Sequence, residues 1–232
     1  MLYQSIKNRK IKFAIVGCGR IAANHVKAIE QHADNVELSA ICDDNLPVLE
    51  EKAHAWKANP FGSYDRLLHE SDCDIVVLCT PSGLHAQQAI QAAQRGKHVM
   101  TEKPMATRWK DGIDMVKACD TAQRRLFVVK QNRRNVTLQL LKRAVNEKRF
   151  GKIYMVHMNV FWSRPQAYYD SAAWRGTWEM DGGAFMNQAS HYVDLLEWLI
   201  GPVESVQAYT ATLARNIEVE DTGTVSVKWR SG

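Results

Sequence analysis

The sequence predicts an α/β protein with a Rossmann-type, doubly wound parallel sheet, followed by a truncated α/β domain with a mainly antiparallel, open sheet. In the first half, apolar runs alternate with amphipathic stretches. Several of these runs are apolar continuously, as a parallel strand covered on both faces requires. In the second half the predicted strands alternate apolar and polar residues, which is typical of an antiparallel sheet with one covered face.

The apolar runs of the first half are predicted strands, and the amphipathic stretches between them are predicted helices. Strands are expected at residues 11–17, 36–43, 74–80, 97–101 and 125–131. Helices are expected over ANHVKAIEQH, LPVLEEKAHAW, HAQQAIQAAQRG and WKDGIDMVKACDTAQ. Strand–helix alternation of this kind indicates parallel strands joined by helical crossovers.

The second half has a different order of elements. A helix at 137–148 and a strand at 152–162 precede a polar and aromatic loop, a helix at 184–201 and strands at 203–212 and 221–230. We place the boundary near Asn132–Arg134, which gives domains at 1–132 and 133–232. The chain stops directly after a strand, which would leave an unpaired sheet edge. We therefore expect a fragment that is truncated at its C-terminal end.

Composition and cysteine usage narrow the class of protein. The 232 residues are 46% apolar and 24% charged, as in ordinary globular proteins. No apolar run approaches the roughly 20 residues of a membrane span. The first apolar run leads directly into glycines, so we interpret it as a strand and not as a signal peptide. We expect a cytoplasmic protein. Its five cysteines form no Cys-x-x-Cys pair, which favours reduced thiols and no metal site.

The net charge of +5 is mild, and its basic residues are dispersed. This charge suits an anionic small molecule at least as well as nucleic acid, and no nucleic-acid motif supports the second partner.

A glycine-rich turn lies between the first predicted strand and the first predicted helix. It comprises Gly17, Cys18, Gly19, Arg20, Ile21 and Ala22. In this G-x-G-x-x-A pattern the first glycine allows a tight turn, and the second lets a pyrophosphate approach the backbone. Asp43 ends the second strand about 20 residues further on, where an acid holds ribose hydroxyls. The combination predicts NAD, and favours it over NADP because the carboxylate would repel a 2′-phosphate, although Arg20 could supply a counter-charge.

Two more turns border the same sheet edge, because ligands bind beyond the carboxyl ends of parallel strands. The first follows the strand at 74–80, and its expected cofactor contacts are Thr80, Pro81, Ser82 and His85. Thr80 or Ser82 could instead cap the next helix, and the two roles are compatible.

The second turn reads Glu102-Lys103-Pro104 and follows the strand at 97–101. Lysine at a strand end is usually solvated surface. Here the edge faces the nicotinamide end of the cofactor. Glu102 and Pro104 restrict the backbone of Lys103, and the peptide bond before a proline can be cis. A lysine near a positive nicotinamide has a lowered pKa, which suits proton transfer. Lys103 is therefore a candidate catalytic residue.

The later helix supplies a candidate partner. Asn187 and His191 lie four positions apart and would share a helix face, with Gln188 beside them. A histidine in an amphipathic helix is more often structural, but one near neutral pKa is the natural base for removing a hydroxyl proton while hydride leaves the same carbon. The pair Gly182-Gly183 before it would let another chain or a ligand come close.

The stretches VGCGRIA, CTPSGLH, TEKPMA, QNRR and GGAFMNQASHYVDLL together resemble the glucose–fructose oxidoreductase, inositol dehydrogenase and MocA family over the whole chain. FVVKQNRR, ARNIEVEDTG and the segment at 168–203 closely resemble the members that oxidise the C3 hydroxyl of a UDP-sugar uronate for lipopolysaccharide synthesis. The resemblance implies an NAD-dependent dehydrogenase that assembles as a homotetramer.

The resemblance also implies roles for individual residues. Lys103 matches the family's catalytic lysine and His191 its catalytic histidine. Asn187 stands where many members carry aspartate, which weakens a carboxylate relay and leaves Lys103 and His191 to handle the proton. Further implied cofactor contacts are Glu102, Lys103, Gln131, Trp174 and Arg175. Implied substrate contacts are Lys103, Arg164, Tyr169, Asn187, Gln188 and His191. The aromatic loop around Arg164, Tyr168 and Tyr169 is as often a subunit contact, so both interpretations stay open.

Two alternatives stay open at this point. One is a non-catalytic NAD-binding fragment, which the abrupt end of the chain favours and the presence of both Lys103 and His191 opposes. The other is a polyol or inositol dehydrogenase of the same family, which Asn187 and the uronate-type loop oppose.

Overall fold

The computed structural model describes residues 6–231. It divides into two compact units, Met1–Val129 and Lys130–Gly232. The strands of the first unit are β1 Ile11–Val16, β2 Val36–Cys42, β3 Asn59–Phe61, β4 Ile75–Leu78, β5 His98–Thr101 and β6 Leu126–Val128. Its helices are α1 Ala22–Gln31, α2 Leu46–Trp56, α3 Tyr64–Glu70, α4 His85–Gln94 and α5 Trp109–Thr121.

The six strands form one parallel sheet in the order β3-β2-β1-β4-β5-β6. This order is that of a doubly wound Rossmann sheet. Strands β2 and β3 are added on one side of β1, and β4, β5 and β6 are added on the other side, so the strand order reverses between β1 and β4. The predicted fold class is confirmed. The sequence prediction missed β3 and α3, because a strand of three residues and a helix of seven residues give little periodic signal.

The core lies on both faces of the sheet because successive strand residues point to opposite sides. Val16, Cys42 and Leu78 face one buried cluster, whereas Ile15, Ile41 and Val77 face the other. Helix α5 contributes Met115 to the first cluster. Full burial on two faces explains why these strands are continuously apolar in the sequence.

The second unit contains three α-helices, a short 3-10 helix and one small sheet among its described residues. The helices are α6 Val136–Asn146, α7 Gln166–Asp170 and α8 Ser190–Ile200, and the strands are β7 Val203–Ala211 and β8 Thr222–Trp229. Strands β7 and β8 pair antiparallel, from Val203 with Trp229 to Ala211 with Thr222. Their alternating pattern in the sequence predicted this pairing.

Two predicted elements of the second unit are wrong. Residues 152–162 form no strand, because a strand needs a hydrogen-bonded neighbour and the described sheet of this unit contains only β7 and β8. The helix predicted at 184–201 begins only at Ser190, and residues 184–189 form turns. Asn187 and His191 therefore do not share one helix face.

The cysteines, the clusters of titratable side chains and the helices bear on disulfide bonding, metal binding and membrane crossing. All five cysteines are free thiols, and burial raises the pKa of Cys18 and of Cys42 to about 12. Within residues 6–231, no three His, Cys, Asp or Glu side chains come together as a metal site would require. None of the helices described there combines the length and the apolar content that a membrane crossing needs.

Candidate functional site

The glycine turn, residues 17–22, joins β1 to α1 and lies against the end of β4. Gly17 has a φ of +89°, and a Cβ on it would stand 2.8 Å from the carbonyl carbon and oxygen of Cys79. A Cβ on Gly19 would meet no described atom within 4 Å. The first glycine is therefore required by packing inside the protein, whereas the second leaves an open cradle that a side chain would fill.

The start of α1 beside this cradle is suited to a phosphate. Helix α1 follows Ile21, and no described side chain caps its N-terminus. The first backbone N–H groups of a helix point outward and, with the helix dipole, attract an anion. Ala22 is fully buried, as close packing of helix on sheet requires. Arg20 is exposed at the same turn. The residues present thus fit the pyrophosphate of a dinucleotide.

Asp43 lies beyond the end of β2 and holds two backbone groups. Its Oδ2 accepts a hydrogen bond from the Cys18 N–H at 2.7 Å, and its Oδ1 accepts one from the Asn45 N–H at 2.9 Å. A carboxylate offers about four lone-pair sites, so acceptor capacity is left for ribose hydroxyls. Asp43 therefore fixes the shape of the glycine turn in addition to its expected contact with the ribose.

The turn after β4 carries the next group of predicted cofactor contacts. The Thr80 hydroxyl donates to Gln88 Oε1 at 2.6 Å, and Ser82 begins a short 3-10 turn that follows Pro81. No described side chain caps α4, so neither Thr80 nor Ser82 has the capping role that the sequence left open.

His85 differs from the role predicted for it. The side chain is only 1% exposed, and its ring nitrogens lie 2.9 Å from the carbonyl oxygens of Pro104 and Thr80. Burial lowers the pKa of His85, although both carbonyls act in the opposite direction. A ring with so little exposed surface offers nothing to a cofactor, so the predicted direct contact is replaced by a connection between two turns.

The lysine turn, residues 102–104, follows β5 at the same sheet edge. The Glu102 N–H donates to the Leu78 carbonyl at 3.0 Å, and the peptide bond between Lys103 and Pro104 is cis. Glu102 is almost buried, with one carboxylate oxygen 2.8 Å from Nε2 of His25. Lys103 is half-buried. The sequence analysis missed His25 because 77 residues separate it from Glu102.

In the second unit, His191 lies in the first turn of α8 and is 8% exposed. The preceding turns place Asn187 against Asp181, which is 1% exposed. Asn187 Nδ2 donates a hydrogen bond to Asp181 Oδ1. The Gly176 N–H donates a hydrogen bond to Asp181 Oδ2 at 2.9 Å. Gln188 is also buried. The sequence analysis missed Asp181, although it lies only six residues before Asn187.

Gly183 lies against a side chain of the same chain. A Cβ on Gly183 would stand 1.8 Å from Oε2 of Glu220, a buried carboxylate that also accepts from the Phe185 N–H at 3.0 Å. Gly182 packs similarly on Met186. The prediction that this pair admits another chain or a ligand is therefore corrected: the space holds Glu220 and Met186.

Two arginines of the aromatic loop stack on aromatic rings. The Arg164 guanidinium carbon lies 4.9 Å from the ring centre of Trp162 and 4.5 Å from that of Tyr168. That of Arg175 lies 4.3 Å from Tyr168 and 4.5 Å from Trp174. Nε of both arginines is buried, so the terminal NH2 groups are the donors left for a phosphate or carboxylate.

A cavity of about 280 Å³ lies beside this stack, and Tyr169, Arg175, Asn216 and Glu218 are among the residues that line it. Gln131 lies elsewhere in the unit, exposed in the 3-10 turn Gln131–Arg134. Lys103 belongs to the first unit and His191 to the second. Their expected convergence on one carbon stays a prediction.

Comparison with known proteins found two matching family models and several related proteins. An oxidoreductase family model described as having an NAD-binding Rossmann fold matches residues 11–130, and the GFO/IDH/MocA C-terminal domain matches residues 138–232. The chain is 28% identical over 204 residues to inositol 2-dehydrogenase of Rhizobium meliloti, covering 88% of this chain and 58% of that protein.

Two solved structures are much more similar. The WlbA dehydrogenase of Chromobacterium violaceum is 69% identical with a TM-score of 0.96, covering 98% of this chain and 66% of that one. WlbA of Bordetella pertussis is 64% identical with a TM-score of 0.97, covering 98% and 68%. Both were crystallised with NADH and UDP-GlcNAcA. The chain spans about half the length of the first curated relatives it matches.

Proposed function

The chain belongs to the GFO/IDH/MocA oxidoreductase family, and from that premise we propose that it is part of a UDP-N-acetylglucosaminuronate 3-dehydrogenase. Such an enzyme oxidises the C3 hydroxyl of UDP-N-acetylglucosaminuronate with NAD. The observation that carries the proposal is the likeness of 64–69% identity to two WlbA dehydrogenases crystallised with that sugar nucleotide. At this level the same elements and loops recur over 98% of the chain.

The first unit is an NAD-binding Rossmann domain, and its residues fit the parts of the cofactor. The open cradle at Gly19 and the uncapped start of α1 suit the pyrophosphate, and Asp43 suits the ribose. When bound, NAD supplies the hydride acceptor. Thr80, Pro81 and Ser82 line the adjacent edge and are proposed to contact the nicotinamide half, with Glu102 and Lys103 beyond them.

The proposed chemistry assigns the proton to this chain's side chains. As the C3 hydrogen leaves with its electron pair as hydride, the hydroxyl proton passes to His191 or Lys103, and the product is a 3-keto sugar. Asn187, Gln188 and Lys103 orient the sugar through hydrogen bonds, and the amide of Asn187 is itself oriented by Asp181. Trp174, Arg175 and Gln131 are proposed cofactor contacts from the second unit.

The aromatic loop supports an anionic substrate. Arg164 and Arg175 place two guanidinium groups on the ring of Tyr168, and the chain carries a net charge of +5. A substrate with two phosphates and a carboxylate complements these cations. Arg164 and Tyr169 are therefore proposed to bind the UDP-sugar uronate.

The proposal extends to the setting of the enzyme. It places the protein in the cytoplasm, in the synthesis of lipopolysaccharide O-antigen sugars, as a homotetramer with no nucleic-acid or membrane partner. Support for assembly comes from the β7–β8 sheet, where Val206 and Val225 lie on the same face and are 64% and 40% exposed. Large apolar side chains grouped in this way are typical of a contact surface.

NADH absorbance tests the function directly. Purified protein is mixed with NAD and with UDP-N-acetylglucosaminuronate, free inositol or no second substrate. We expect NADH only with the sugar nucleotide, and a loss of at least about 100-fold in Lys103→Met, since general acid–base catalysis contributes roughly that factor. Lys110→Met is the matched control, because Lys110 is exposed on α5 and pairs with Asp114.

Each rival function has its own outcome in this assay. NADH formation with inositol would favour a polyol dehydrogenase, for which the 28% identity to inositol 2-dehydrogenase is the specific support. NADH binding without turnover of either substrate would favour a non-catalytic NAD-binding fragment. Equal rates for wild type and Lys103→Met would remove the proposed role of Lys103.

A further inference from the structure

The lysine turn is held on both sides by histidines that belong to other elements. Before Lys103, the Glu102 carboxylate lies against His25 of α1. After Lys103, the Pro104 carbonyl lies against His85 at the start of α4. Lys103 thus stands between two residues that are each anchored by a nearly buried imidazole.

The contact before the lysine joins the lysine turn to helix α1. Nε2 of His25 lies 2.8 Å from Oε1 of Glu102, and the two side chains are only 13% and 11% exposed. Oε2 of the same carboxylate accepts a hydrogen bond from the Lys103 N–H at 3.3 Å. A carboxylate this deeply buried needs compensating donors to stay in place. His25 therefore holds the Glu102 carboxylate in place, and that carboxylate in turn holds the backbone N–H of Lys103.

The contact after the lysine joins the lysine turn to the end of β4. His85 Nδ1 lies 2.9 Å from the Pro104 carbonyl oxygen, and Nε2 lies 2.9 Å from that of Thr80. Because the ring is 1% exposed, its position is set by packing on all sides. It works as a rigid spacer between two turns that border the cofactor.

We propose that His25 and His85 are positioning residues that hold Lys103 in its reactive place without touching substrate or cofactor themselves. This inference rests on the proposed function in so far as Lys103 acts on the substrate. A catalytic group misplaced by about 1 Å through a distant change can cost roughly 100-fold in rate. Loss of either histidine should therefore lower kcat far more than it weakens cofactor binding.

Two substitutions at each position test the proposal. His25→Leu and His85→Leu remove the ring nitrogens, whereas His25→Gln and His85→Gln keep an N–H donor and guard against simple loss of folding. We expect kcat to fall about 10- to 100-fold in the leucine variants and less in the glutamine variants, with the NADH dissociation constant changed less than about threefold. His54→Leu, at an exposed position of α2, is the matched control and should match wild type.

Hydrogen–deuterium exchange supplies a readout that does not need turnover. Peptides that cover residues 99–108 should exchange faster in His25→Leu and His85→Leu, while peptides from β1 and β2 stay protected. Unchanged exchange at 99–108 with kcat within twofold of wild type would overturn the proposal, as would a uniform increase across the whole unit. If wild type turns over no sugar nucleotide, the proposed function fails, but the exchange result still decides whether the histidines hold the turn.

Discussion

Substitution of the two glycines of the glycine turn should separate a packing role from a binding role. Gly17→Ala adds a methyl group 2.8 Å from the Cys79 carbonyl carbon and oxygen and 2.9 Å from the Thr80 nitrogen. All three atoms belong to the backbone at the end of β4, so they cannot move aside as a flexible side chain would. Gly17 also has a φ of +89°, which an alanine rarely adopts.

The size of the effect follows from these two terms. The left-handed conformation costs a residue with a Cβ about 1–2 kcal/mol. Crowding of a well-packed site costs a further 1–3 kcal/mol, approximately. We therefore expect Gly17→Ala to lower the free energy of unfolding by about 3 kcal/mol, which corresponds to roughly 6–12 °C in melting temperature for a protein of this size.

Gly19→Ala is the matched control because its methyl group would meet no described atom within 4 Å. Its melting temperature should stay within about 2 °C of wild type, since surface substitutions usually change stability by less than about 0.5 kcal/mol. Its affinity for NADH should fall at least about tenfold, equivalent to about 1.4 kcal/mol, because the methyl group occupies the place where a pyrophosphate approaches the backbone.

Thermal melts and titration of NADH fluorescence measure the two effects separately. Added NADH should raise the melting temperature of wild type but hardly that of Gly19→Ala, because a ligand stabilises only the form it binds. The argument is refuted if Gly17→Ala melts like wild type, or if Gly19→Ala loses stability while binding NADH normally.

Three other outcomes follow from the described contacts. Asp43→Asn should weaken NADH binding and reduce the preference for NADH over NADPH, as fluorescence titration with each cofactor would show. An unchanged ratio of the NADH and NADPH dissociation constants would contradict the predicted ribose contact. Gly183→Ala should lower the melting temperature by several degrees, because its methyl group overlaps the Glu220 carboxylate, and a wild-type melt would refute this. Burial acts to raise the pKa of Asp74, but hydrogen bonds from Arg9 and a backbone N–H outweigh it and hold the pKa below the ordinary value of an aspartate. Its ionised form thus stabilises the fold at neutral pH, so Asp74→Asn should destabilise there. The difference from wild type should shrink in melts at acid pH, as the pH falls through the lowered pKa; a constant difference would refute it.

Much of the first unit could be predicted from sequence because its signals are local. The strands are continuously apolar since both faces of the sheet are covered, and the glycine turn lies within six consecutive residues. Elements that depend on a distant partner could not be predicted. The strand expected at 152–162 is apolar enough, but pairing decides whether a strand forms, and no pattern within the segment reveals a missing neighbour.

The same limit applies to the candidate site. The residues named from motifs, such as Lys103 and Asp43, lie at the ends of predicted strands, where topology alone brings them to one edge. The residues that hold them were missed. His25 reaches Glu102 across 77 positions, and Glu220 reaches the Phe185 backbone across 35, and neither distance leaves a periodic trace in the sequence.

Asn187 shows how a buried neighbour limits what a position can carry. The family resemblance leads one to expect aspartate there, but Asp181 lies in hydrogen-bond contact with the Asn187 amide and is 1% exposed. An aspartate at 187 would bring two carboxylates together away from water, and one of them would have to take up a proton. The amide instead donates to Asp181 without adding charge. A carboxyl group is thus present six residues before the position where many family members carry one, and it lies in hydrogen-bond contact with Asn187 beside the turns that lead into α8.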